Sequence, residues 1–201
     1  MTLPENGPAA PRLSFAPALP ADLALERATL GAIALFPAVA ARLLPQLGAE
    51  HFTDRRHRHL LELFRRLHTE RGGIQPAVAE IELRRQALAG TRPDTCRAVL
   101  HAALIEAPPG EQAALIAARR LLDVGARRRV AQAGLRLLGA GIEADSLPEL
   151  LLCSQQETAH LQRDLAGYAR ARNRLRAQPE LPLASQVRGQ THREDGSELT
   201  R

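Results

Sequence analysis

The chain has 201 residues, enough for one domain or a domain with an appendage, and a net charge of +5 from 27 basic and 22 acidic residues. Hydrophobic residues make up 45% and aromatic residues 2%, so the core is aliphatic; Leu and Ala dominate, β-branched residues are sparse, and the composition predicts an all-α protein. All 27 basic residues are Arg, and the lack of Lys excludes a P-loop, Schiff-base chemistry and a Lys general base within this chain.

Residues 1–21 hold Pro4, Pro8, Pro11, Pro17 and Pro20 and read as a disordered leader. Asp22 is an N-cap signal for a first helix over Leu23–Leu35, with Glu26 in its first turn. Apolar residues lie on more than one stripe of this helix, which predicts deep packing. Gly31 inside it costs about 1 kcal/mol against Ala, which points to close approach by a neighbour. Pro37 opens a short second helix that Pro45 and Gly48 end.

The stretch from Glu50 to Leu67 is the strongest amphipathic pattern in the chain. Phe52 is an aromatic plug, Thr53-Asp54 a helix start, and His57, Leu60, Leu61, Phe64 and Leu67 follow at helical spacing. It is expected to centre a globular bundle over residues 22–107, closing at Gly72-Gly73. Pro76 opens a fourth helix with Val78, Ile81 and Leu88 on its apolar side. Gly90 to Pro93 reads as a loop, and Asp94 or Thr95 as the cap of a fifth helix with Val99, Leu100, Ala103 and Leu104.

Pro108-Pro109-Gly110 is the clearest break. Beyond it, Leu115, Leu122, Val130 and Leu137 recur at close to heptad spacing in a helix from Glu111 to Leu138, stopped by Gly139-Ala140-Gly141. Ser146 caps a second long helix with Pro148 and Glu149 in its first turn; Leu150, Leu151, Thr158, Leu161, Leu165 and Tyr168 mark its apolar side. Two such helices joined by a few residues form an antiparallel hairpin over 108–176, each about 40 Å long at 1.5 Å per residue. A hairpin longer than the bundle can cover favours self-association over intramolecular coverage. The polar tail over 177–201, with Pro179 and Pro182 as stops, is expected to be disordered.

Cys96 and Cys153 form no C-x-x-C unit and read as reduced thiols. No signal-peptide pattern and no apolar run near the ~20 residues of a membrane span are present, so the expected setting is cytoplasmic, without membrane contact.

Taken in order, these residues resemble the N-terminal domain of DnaB-type replicative DNA helicases. The resemblance rests on Glu26 with Leu30-Gly31 in the first helix, then Pro37, then Phe52, Asp54, His57-Arg58, Leu61, Phe64 and Leu67, and then a long hairpin whose first helix carries Arg127 to Arg129. It covers roughly Ala21 to Ala166. Two departures stand out: Ile74 is followed by Gln75 where the family usually has an aspartate, and Arg92 to Leu100 occupies the region of the family's Gly-Gly-x-x-Tyr-Leu segment. The resemblance implies an all-α fold, a small helical bundle followed by the hairpin. It also implies self-association through that hairpin and docking of a DnaG-type primase. The chain ends at Arg201 before any ATPase domain. It is expected to act as a stand-alone copy, a non-enzymatic interaction module that binds itself and a primase or a DnaB-type helicase. The helicase-binding domain of DnaG-type primase has a similar bundle and hairpin, but the first helix and the Phe-to-His pattern favour the helicase side.

No catalytic, cofactor or metal constellation emerges. His57 has no carboxylate or Cys at metal spacing and reads as a helix-opening residue packed on Phe52 and the first helix. Glu26 and Glu50 read as capping or surface residues rather than a carboxylate pair. Arg119, Arg120, Arg127, Arg128 and Arg129 are the candidates for partner or phosphate contacts; a solvated helix face with inter-helix ion pairs is the favoured reading. A small Arg-rich DNA-binding protein is the alternative of a different class. Five aromatic residues offer few stacking platforms, so any DNA contact is expected to be weak or indirect.

Overall fold

The structure, a computed structural model, describes residues 19–89, 95–144 and 146–177. Most of the leader, the loop at 90–93, Asp94 as a cap and the tail from 178 lie outside the described residues. Seven α-helices and no strand occur among the described residues: α1 (Leu23–Leu35), α2 (Pro37–Leu43), α3 (Arg55–Arg71), α4 (Pro76–Leu88), α5 (Thr95–Ile105), α6 (Glu111–Glu143) and α7 (Leu147–Ala177). A 3-10 turn spans Ala49–His51. No helix is long and apolar enough to cross a membrane among the described residues.

Local chemistry sets the boundaries. Asp22 Oδ1 accepts from the Leu25 amide at 2.9 Å and opens α1. Phe36 is extended, and Pro37 restarts the chain as the first residue of α2. Asp54 Oδ1 accepts from the Arg56 amide at 2.7 Å to open α3, which Gly72 ends in the left-handed region at φ 69°.

The centre of the bundle is α1, not α3. α1 packs against α2, α3, α5 and α6 and buries residues from Thr29 to Ala34 consecutively. The physical reason is its composition: small and apolar residues on every side let four helices approach, whereas α3 has one apolar face and an Arg-rich opposite face. α3 lies beside α1 and buries Leu60, Leu61, Leu63, Phe64 and Leu67, with Phe52 closing the start of the helix. α5 crosses α1 at Gly31, where a Cβ would lie 1.9 Å from the carbonyl oxygen of Ala103.

α4 keeps only Val78 of its expected apolar side against the core. It buries Ala79 and Leu83, one turn apart, while Ile81 is 67% and Leu88 84% exposed. The two residues that face α3 and α5 include an Ala, which a stripe chosen by hydrophobicity passes over.

The first hairpin helix also runs further than expected, through Gly139-Ala140-Gly141 to Glu143. Two glycines cost about 1 kcal/mol each against Ala, and neither adopts a positive φ. The flanking helical turns carry the ladder across them until Ala144 turns extended. Ser146 then opens α7, its Oγ 3.4 Å from the Glu149 amide.

The core does not stop at Pro108. Leu115, Ala118, Leu121 and Leu122 of α6 and Ala171 and Leu175 of α7 belong to the same buried cluster as Leu30, Leu61 and Leu100. The hairpin base is thus covered by the bundle, and its distal half projects. Of the heptad positions, Leu115 and Leu122 are buried, Leu137 is half-buried and Val130 is exposed.

Gly134 sits on that projecting part, and a Cβ added there would meet nothing within 4 Å. Gly134→Ala is expected to stabilise the fold by about 1 kcal/mol and to raise Tm by about 2–4 °C in a scanning-calorimetry comparison.

Candidate functional site

Glu26, at 0% exposure, ties α1 to the start of α3. Its Oε1 accepts from the Thr53 amide at 2.8 Å and from the Thr53 hydroxyl at 2.5 Å. Its Oε2 accepts from His57 Nδ1 at 2.6 Å. Of the expected capping or surface role, the surface part is corrected: Glu26 is buried and braces the start of a different helix. Burial pushes its carboxyl up, but hydrogen bonds from His57 and Thr53 and the His57 charge outweigh burial and leave it below the usual carboxylate range. His57 packs on α1, as its pattern suggested, but through a carboxylate 31 positions upstream. No group of three potential metal ligands exists among the described residues. The pair is therefore a clamp between helices.

The hairpin is laced antiparallel by Asp123–Arg172 at 3.0 Å, Arg129–Asp164, and Arg136–Glu157 at 2.6 Å. The five expected contact arginines separate under this geometry. Arg128 is 5% exposed, with Nη2 donating to the Glu50 carbonyl at 2.8 Å and Nη1 to the Pro20 carbonyl at 3.4 Å. It locks the hairpin to the bundle and is not presented to a phosphate. Arg129 is taken up by Asp164, and Arg119 Nε donates to the Leu115 carbonyl at 3.2 Å. Arg120 and Arg127 are exposed.

Arg128 is one part of a joint that pattern reading did not assemble. Tyr168 of α7 meets His51 edge-on, with ring centroids 4.9 Å apart. The same Tyr ring lies over Gly125 of α6, where a Cβ would sit 3.0 Å from its Cε1. His51 Nδ1 accepts from the Gly48 amide at 2.6 Å, and burial pulls the ring pKa down, so His51 is a neutral acceptor here. Burial likewise raises the Tyr168 hydroxyl. These residues lie far apart along the chain; the available signal was that Tyr168 is the sole Tyr and lies at a helical position facing α6.

At the far end the hairpin is apolar and open. Ile142 is 77% exposed, and Leu138, Leu147, Leu151 and Leu152 are each more than half exposed. Ile142 and Leu147 flank the turn, with Leu138 and Leu151 one helical turn back on either arm.

Comparison with known proteins places this architecture. The family model described as DnaB-like helicase N terminal domain matches residues 18–109. Among solved structures, the N-terminal domain of DnaB helicase from Mycobacterium tuberculosis is similar at 25% sequence identity and a TM-score of 0.58, over 69% of this chain and 96% of that one. No curated protein matches. The family match spans the bundle, and the structural match, at 69% of this chain, is longer than that segment. Residues 18–109 of this chain therefore match the DnaB-like helicase N-terminal domain family, and the fold resembles that domain.

Proposed function

We propose that the chain is a non-catalytic interaction module of DNA replication. Two copies associate through the distal hairpin, and the assembled module docks a DnaG-type primase or a DnaB-type helicase. The observation that carries this reading is the open apolar tip on a fold similar to a helicase N-terminal domain. Five large aliphatic side chains left in water at one end of a rigid arm are what an isologous contact would cover. The bundle explains why the arm is rigid: Arg128, Tyr168 and the shared aliphatic core fix its base.

The test is the mass of the full chain by sedimentation equilibrium. The wild type is expected to be a dimer or higher oligomer, and Ile142→Glu with Leu151→Glu a monomer with unchanged helicity and Tm. A wild type that remains monomeric across the concentration range sinks the self-association. Pull-downs with purified primase and helicase check the docking, and loss of both signals removes that part.

A further inference from the structure

A cleft of about 550 Å³ opens beside the joint, between α7 and the segment from Pro45 to His51. Five arginines and two acids line it. One acid, Asp164, is engaged by Arg129. Arg128 is committed to backbone carbonyls. Arg163, Arg170 and Arg174 remain, exposed and with no carboxylate partner among the described residues. Positions 163, 170 and 174 share one stripe of α7, and Gly167 leaves the wall between them open.

We propose that this cleft binds a nucleic-acid phosphate backbone through Arg163, Arg170 and Arg174. Three like charges on one helix face repel one another, and a run of phosphates is the ligand that relieves this. Along the helix axis the three guanidinium positions extend over about 16 Å. A row of that length suits a linear polyanion rather than one compact anion. The cleft offers one Tyr, packed against His51, and no row of stacking platforms, so the contact reads backbone and not sequence. The site is also distinct from the exposed pair Arg120 and Arg127 of α6, which do not line it.

Fluorescence anisotropy of the full chain with a labelled oligothymidine, across a salt series, tests the proposal. Three phosphate contacts on a single strand give a slope of log K against log salt of about −2. Arg163→Ala, Arg170→Ala and Arg174→Ala are each expected to reduce the slope by about 0.7, and the triple variant to bring it near zero. Arg120→Ala with Arg127→Ala is expected to leave it unchanged. Circular dichroism confirms folding of each variant, and the single variants carry the test if the triple does not fold. The proposal is overturned if the wild type does not bind at low salt, if the triple variant keeps the wild-type slope, or if the α6 pair matters as much. Competition with inorganic tripolyphosphate separates the sources: binding of tripolyphosphate without binding of oligothymidine also overturns it.

Discussion

Glu26→Ala is expected to destabilise the fold by about 3–5 kcal/mol, the cost of removing one partner from a buried, hydrogen-bonded carboxylate–imidazole pair. The substitution strips His57 of its acceptor in a site where the ring is 1% exposed. It also orphans the Thr53 amide and hydroxyl at the start of α3. Glu26→Gln keeps an acceptor of the same shape but not the charge, so it should fall between Ala and wild type. Urea denaturation at neutral pH measures both. A Glu26→Ala variant within about 1 kcal/mol of wild type would show that the clamp does not hold α3.

The same residue sets a pH dependence with a definite sign. Its folded pKa lies below the ordinary value of 4.5, so the folded state binds this proton less tightly than the unfolded state. The stabilisation is complete above the unfolded value and is lost as pH falls through the folded one. Wild type should therefore lose stability on acidification more steeply than Glu26→Gln. Asp54, held down to about 2 by the Arg56 hydrogen bonds, has the same sign and persists in both proteins. Its contribution is therefore common to wild type and Glu26→Gln and cancels from the comparison.

Much of the fold was legible because it rests on local signals. Asp22, Pro37, Asp54, Gly72 and Pro76 each act on a backbone group within a few residues, and each marks the helix boundary it was expected to mark. What failed locally was the stop at Gly139-Ala140-Gly141, where helical glycines are tolerated between strong helical turns. Long-range features were hidden for a different reason. Nothing near Glu26 indicates that its acceptors will be filled by Thr53 and His57, and nothing near Arg128 points to the Glu50 carbonyl. Three adjacent arginines cannot share one helix face, but the sequence does not say what each meets: the 100° step sends Arg127 to solvent, Arg128 into the joint and Arg129 to α7. The arginines left for a ligand are those on α7, spaced seven and four apart, a pattern that becomes visible only once the cleft gives the stripe a direction.

Gly31→Ala is the second large effect, and it separates propensity from packing. On propensity alone the substitution gains about 1 kcal/mol. In the structure the new Cβ would lie 1.9 Å from the Ala103 carbonyl oxygen and 2.7 Å from its carbonyl carbon. Those are backbone atoms of α5, and no rotamer change moves them. The α1–α5 contact must open by more than about 1 Å to reach ordinary van der Waals distance, and Leu30, Leu100 and Ala103 lose close packing when it does. The net cost is expected near the upper end of the overpacking range, about 3 kcal/mol. Because the obstacle is a carbonyl, adding Ala103→Gly should not restore stability. Adding Ala107→Gly should restore a small part, since the Ala107 methyl lies 2.9 Å away. Chemical denaturation of these variants beside Gly134→Ala supplies the contrast: the same residue change inside two helices of one protein, with opposite signs. Equal signs at positions 31 and 134 would mean that α5 does not cross α1 where the fold requires it.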